Sequence, residues 1–169
     1  MQNIVLVGFM GVGKGSVARE VIRQSEYIAI DTDDIIESME NRTVKKIFAQ
    51  EGEPYFRDLE RKVAHWLESS VQNTLISTGG GFFKVPNLKA IGKVVLLHAE
   101  FDTIYKRITE HPKAKQKIKK RPLFQDKKKA RVLYKEREPQ YMAVADIVID
   151  VTDKTVETIA KEILEKVTS

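Results

Sequence analysis

Short runs rich in Val, Ile and Leu recur at residues 3–7, 27–30, 74–77, 93–98 and 146–150. Each is apolar on both alternations, the pattern of a strand covered on two faces. Between them, residues 16–23, 53–70, 101–110, 127–138 and 155–167 repeat their apolar positions at helical spacing. Strand alternating with helix implies right-handed crossovers and a parallel sheet. The expected fold class is α/β, a three-layer α/β/α sandwich in one domain spanning residues 1–169. Two excursions interrupt the alternation. Residues 32–60 read as short helices running into the long helix. Residues 110–126 contain Pro112 and Pro122, have poor helical periodicity, and form a candidate lid.

Ligands of such sheets sit beyond the carboxyl ends of the strands, and here those ends are chemically loaded. The first strand leads into IVLVGFMGVGKGS, residues 4–16. Gly8, Gly11 and Gly13 permit a turn whose peptide N–H groups, that of Val12 among them, point inward around a polyphosphate. Lys14 adds a point charge at the outer phosphates. The helix starting near Lys14 offers the positive end of its dipole to the same anion. This is the G-x-x-x-x-G-K part of the P-loop pattern in its strand-to-helix context. The pattern then asks for Ser or Thr, whose hydroxyl goes to Mg²⁺, and the chain has Gly15 instead. Ser16 follows one place later, but neighbouring helical residues point about 100° apart, so it is no simple replacement.

The second strand ends at Asp31-Thr32-Asp33. Extended geometry would turn both carboxylates to one side, where they could hold Mg²⁺ or orient a hydroxyl acceptor. One of them could also cap the next helix, and the two roles are compatible. The third strand ends at Ser77-Thr78-Gly79-Gly80-Gly81. Three consecutive glycines lose the most backbone entropy on folding, which makes sense where another molecule must approach the main chain closely. Arg57, Arg121 and Arg137 are far apart in sequence. Each guanidinium suits a carboxylate or phosphate, but only convergence would make them a site.

Composition narrows the function classes. The 169 residues are 42% hydrophobic, with no apolar run long enough to cross a bilayer. The chain enters its first strand without a basic leader or signal core, so a soluble, cytoplasmic protein is expected. Absence of cysteine excludes disulfides and cysteine-ligated zinc. The net charge of +5 is concentrated in residues 113–121 and in Lys127, Lys128 and Lys129. No aromatics are interleaved there as base-stacking platforms, so the segment reads as a solvated loop or a flap over a nucleotide, and nucleic-acid binding is not expected. His65, His98 and His111 share no metal-ligand spacing and read as structural or exposed. Trp66 reads as core or half-buried.

Taken together, these segments resemble the shikimate kinase family. The likeness rests on GFMGVGK at 8–14, DTD at 31–33, GEPYFRDLE ending at Glu60, STGGG at 77–81, RPL after the basic segment, and REPQY at 137–141. It implies a five-stranded parallel sheet of the P-loop NTPase fold, similar to nucleoside monophosphate kinases, with a substrate-binding excursion and a lid. The implied reaction moves the γ-phosphoryl of ATP, with Mg²⁺, to the 3-hydroxyl of shikimate, on the way to chorismate and the aromatic amino acids. The implied protein is a monomer.

The resemblance also assigns residues. Asp33 would bind shikimate hydroxyls and act as, or sit beside, the base. Asp31 would lie near the magnesium shell. Arg57 and Arg137 would grip the carboxylate, and Gly79, Gly80 and Gly81 would let the ring approach. Lys14 would stay on the β and γ phosphates, Arg121 would swing in from the lid onto the transferring phosphoryl, Arg107 would stack near adenine, and Gly8, Gly11, Val12, Gly13, Gly15 and Ser16 would also bind the nucleotide. Gly15 departs from the family's Ser or Thr. Mg²⁺ is then expected to be held by ATP oxygens, water and Asp31, with Ser16 as a further candidate. Two other readings remain open here: a gluconate-like or nucleotide kinase on the same fold, and a non-catalytic descendant that binds shikimate or nucleotide.

Overall fold

Five strands, β1 (Ile4–Val7), β2 (Ile28–Asp31), β3 (Thr74–Ser77), β4 (Lys93–His98) and β5 (Ile147–Asp150), form one sheet in the computed structural model, which describes residues 1–169. Their order is β2-β3-β1-β4-β5, and every pairing is parallel. The central strand is apolar on both faces because helices cover both. Val5 lies between Ile76 and Val94, and all four residues of β1 are buried. The expectation that every strand is covered on two faces fails at the edges. In β2, Ile28 is 71% exposed, and β5 is also only partly covered. Edge strands reach beyond the helices that flank the sheet's middle.

The crossovers run through α1 (Lys14–Gln24), α4 (Glu53–Ser70), α6 (Phe101–Thr109) and α8 (Lys127–Val144), while α9 (Val156–Thr168) follows β5 and packs along α1. The first excursion folds as two short helices, α2 (Thr32–Glu40) and α3 (Val44–Glu51). Thr43 caps α3 by accepting from Lys46 N, and Glu37 accepts from Val44 N at 2.7 Å, tying the two together. After β3 come a 3-10 turn (Phe82–Lys84) and the short α5 (Leu88–Ile91).

Two expectations about helices are corrected. The periodicity predicts an end at residue 138, before Pro139, yet α8 continues to Val144. A proline inside a helix removes a donor and costs about 3 kcal/mol. Here Ala130, Tyr134, Arg137 and Tyr141 form one buried stripe that spans the proline, so packing on both sides holds the helix through it. The basic excursion, weak in helical periodicity, nevertheless contains α7 (Ala114–Lys120), none of whose residues is buried. It leads into a 3-10 turn (Pro122–Gln125), whose Phe124 packs edge-on against Phe9 of the glycine-rich loop at 6.1 Å.

No helix is long and apolar enough to cross a membrane. A cavity of about 500 Å³ opens at the amino-terminal end of the sheet beside Asn3 and the Lys89–Asp146 ion pair. None of the residues singled out from the sequence lines it. They lie at the other end.

Candidate active site

The turn between β1 and α1 has the shape its glycines permit: Gly8, Gly11 and Gly13 all have positive φ, and Gly13, at 106°, starts the helix. Lys14 curls back over this turn, donating from Nζ to the carbonyls of Gly8 at 2.6 Å and Phe9 at 3.2 Å. Burial pulls its ammonium down to about 8. Asp33, Arg121, Asp31 and Arg137 are all near enough to act on that charge. Residues distant in sequence thus converge on one lysine.

Arg107 reaches the loop from α6. Its Nη1 donates to Val12 O at 3.1 Å, and its guanidinium lies 3.2 Å from where a Cβ on Gly13 would be. Beside it opens a cavity of about 220 Å³ bounded by Thr103, Ile104, Val151 and Asp153. Gly15 is exposed, and the nearest group to a Cβ placed there is Arg19 Nη1, at 3.6 Å. The Ser16 hydroxyl accepts from Arg19 Nη2 at 3.4 Å.

Asp31 closes β2 and caps α2: its Oδ1 accepts from Asp33 N at 2.9 Å and from Asp34 N at 3.1 Å. Because α2 begins at Thr32, Asp33 stands in a helical turn, and strand alternation does not set the direction of the two carboxylates as expected. Burial, followed by the charges of Asp31 and Glu60, pushes the Asp33 carboxyl up to about 7, while Lys14 opposes the rise. Its Oδ1 is buried without a hydrogen-bond partner.

Each residue of the glycine triplet faces a different charged side chain. A Cβ on Gly79 would sit 2.5 Å from Asp33 Oδ1, one on Gly80 would sit 3.1 Å from Arg137 Nη1, and one on Gly81 would overlap the Arg57 guanidinium. Any side chain in the triplet would therefore displace an acid or an arginine. The wall is fastened from behind, because Thr78 Oγ1 donates to Leu6 O at 2.7 Å and Gly79 N donates to Thr32 Oγ1 at 3.1 Å.

Arg137 is only 8% exposed, and its Nε has no partner. Arg57 donates from Nη1 to Glu60 at 2.5 Å and pairs with Glu53 at 3.1 Å. Glu60, whose side chain is 1% exposed, has one oxygen unpartnered, and burial raises its carboxyl. Its place in the site was not anticipated, although a signal exists: it sits on the buried stripe of α4 between Phe56 and Val63. Tyr141, which donates to Gly80 O at 2.5 Å, and the cavity beside Arg107 were likewise missed as site elements. His98 lies outside this group, 3.4 Å from Glu138. No three His, Cys, Asp or Glu side chains cluster as a metal cage.

A parallel sheet with a P-loop at its centre, a basic helical segment and a second pocket lined by charged groups and bare glycine backbone defines a small-molecule kinase of the P-loop fold. The sequence matches the family model for shikimate kinase over residues 10–168. The chain belongs to the shikimate kinase family, whose members are ATP-dependent phosphotransferases. Shikimate kinase of Helicobacter hepaticus is 38% identical over 165 residues, covering 98% of this chain and 95% of that one. Shikimate kinase of Caldanaerobacter subterraneus is 41% identical over 171 residues, covering 97% and 95%. Among solved structures, shikimate kinase from Acinetobacter baumannii in complex with shikimate superposes with a TM-score of 0.85 at 32% identity, over 99% of this chain and 93% of that one. A gluconokinase from Sinorhizobium meliloti has a TM-score of 0.63 at 16% identity, over 99% and 91%, a likeness of fold alone.

Proposed function

We propose that this chain transfers the γ-phosphoryl of ATP to the 3-hydroxyl of shikimate, in the cytoplasm and as a monomer. The observation that carries the reading is the glycine triplet facing one buried acid and two guanidinium groups beside the P-loop. Shikimate has a carboxylate and several hydroxyls on a small ring, and the pocket offers a complement to each. The Acinetobacter baumannii relative was solved with shikimate bound.

In this reading Arg57 and Arg137 grip the carboxylate, the bidentate pairing that guanidinium forks make best. Glu60 holds Arg57 from behind. Asp33 accepts a hydrogen bond from the acceptor hydroxyl, and a carboxyl near 7 is poised to take a proton at neutral pH. Lys14 leaves the carbonyls of Gly8 and Phe9 for the β and γ phosphates, while backbone N–H groups from Gly8 to Ser16 surround them. Arg107 borders the adenine in the adjoining cavity. Arg121 comes down with the 110–126 lid onto the transferring phosphoryl, so water is excluded as the site completes. Residues 32–60 form the acceptor's side of the cleft.

The donors beside the P-loop are hard oxygens, few in number, which fits a Mg²⁺ that brings most of its ligands from phosphate and water. Bound with nucleotide, such an ion would supply charge neutralisation at the phosphates. Asp31 keeps one oxygen free of its cap and is the candidate protein ligand, directly or through water. Ser16, engaged by Arg19, is the weaker candidate. The reading is tested by ADP release from ATP with and without shikimate across a magnesium titration. Strong shikimate-dependent turnover supports it; its absence at every magnesium concentration, with shikimate still binding, would make the chain a non-catalytic binder.

A further inference from the structure

Tyr141 closes the REPQY segment one helical turn past Arg137, on the same buried face of α8 and with Pro139 between them. It is 3% exposed, its ring packs on Phe83 with centroids 4.6 Å apart, and its hydroxyl donates to Gly80 O at 2.5 Å. A Cβ on Gly80 would lie 3.1 Å from Arg137 Nη1 and 3.8 Å from the Tyr141 oxygen, so phenol, guanidinium and glycine backbone meet at one point.

We propose that Tyr141 is a positioning residue for the acceptor pocket, holding the middle of the glycine triplet and the Arg137 guanidinium in the arrangement that receives a carboxylate. The inference rests on the kinase reading above. Its physical basis is the freedom of three consecutive glycines, the most mobile wall a pocket can have unless its peptides are tied. Gly79 is tied through its N–H to Thr32, and Gly80 through its carbonyl to Tyr141. Burial pushes the Tyr141 phenol up to about 12, which keeps it a donor throughout the neutral range. The same contact gives α8 a reason to continue past Pro139: ending there would remove the tyrosine from the wall.

The test is Tyr141→Phe, which removes one oxygen and keeps the ring on Phe83. Binding of shikimate and of ADP to the nucleotide-free protein would be measured by calorimetry, with steady-state KM and kcat alongside. The expected result is a shikimate dissociation constant and KM raised about tenfold, the factor set by 1.4 kcal/mol, with ADP affinity unchanged. An acceptor analogue with the carboxylate reduced to an alcohol should bind parent and variant equally, since the arginine has nothing to grip. Unchanged shikimate affinity would overturn the inference. So would parallel losses for shikimate, ADP and thermal midpoint, which would mark a general structural role. If the parent itself fails to bind shikimate, the kinase reading fails and this one falls with it.

Discussion

Arg137 and Arg121 bring the same guanidinium to the same cleft from opposite kinds of scaffold. Arg137 sits mid-helix on α8, 8% exposed, between buried Tyr134 and Tyr141. Arg121 sits where α7 ends, on a helix that buries nothing and packs chiefly against α6 and the following 3-10 turn. The contrast extends to their surroundings. The wall proposed to receive the acceptor is held by its own contacts, with Glu60 behind Arg57, Thr32 behind Gly79 and Tyr141 behind Gly80. Around the P-loop the ties are fewer: Lys14 bonds the carbonyls of its own loop, and no residue from 110 to 123 is buried before Phe124. A prebuilt wall spends little binding energy on ordering, whereas residues 110–126, acting as the proposed lid, would tie catalysis to occupancy.

The largest effect expected from breaking this contrast is at the lid. Arg121→Ala should lower kcat about a thousandfold, the lower end for an arginine on a transferring phosphoryl, while shikimate affinity without nucleotide stays unchanged in calorimetry. Asp33→Asn comes next, with kcat down about a hundredfold or more, the usual scale for a lost general base.

The parent's shikimate kcat/KM should fall about tenfold per pH unit below about pH 7, because Asp33 must be ionised to accept a proton. Stability follows the opposite sign. The native Asp33 carboxyl holds its proton more tightly than the unfolded one, so the native state loses stability between about pH 4 and about pH 7 as pH rises. Asp33→Asn should therefore melt higher than the parent above that window and equal to it below. Calorimetric melts across pH decide this.

On the prebuilt side, Arg137→Lys should raise the shikimate KM about ten- to a hundredfold, as expected for charge-assisted hydrogen bonds lost in a buried site, and leave the ATP KM alone. An equal rise in both would dissolve the distinction between the halves. The smallest effect is at Gly15. Restoring a hydroxyl with Gly15→Ser should lower the magnesium concentration for half-maximal rate a few-fold. The structure leaves room for it, since the nearest group is the end of flexible Arg19. An unchanged magnesium dependence would mean that the loop's hydroxyl plays no part in metal binding here.

Legibility from sequence divided along a similar line. β3, β4 and α4 have the bounds that the pattern predicts, because runs of Val, Ile and Leu and a long amphipathic stripe are local signals. The P-loop and the glycine triplet were readable for the same reason, since glycine's backbone freedom is a property of the residue itself. What escaped depends on packing between distant segments. Pro139 is a local stop signal overridden by the buried stripe that crosses it. Glu60 and Tyr141 become site residues only when α4 and α8 meet the triplet, a meeting that no window of sequence contains. Edge exposure of β2 and β5 follows from strand order, which composition does not encode.

The most direct test of the contrast is amide hydrogen exchange on the protein alone, with ADP, and with ADP plus shikimate. The account predicts slow exchange at Gly79, whose N–H is bonded to Thr32, and along α4 in the protein alone, fast exchange along α7, and protection of α7 only once nucleotide is bound. Fast exchange of Gly79 and α4 in the protein alone, slowed only by shikimate, would contradict it, and would mean that the acceptor pocket is also made on binding.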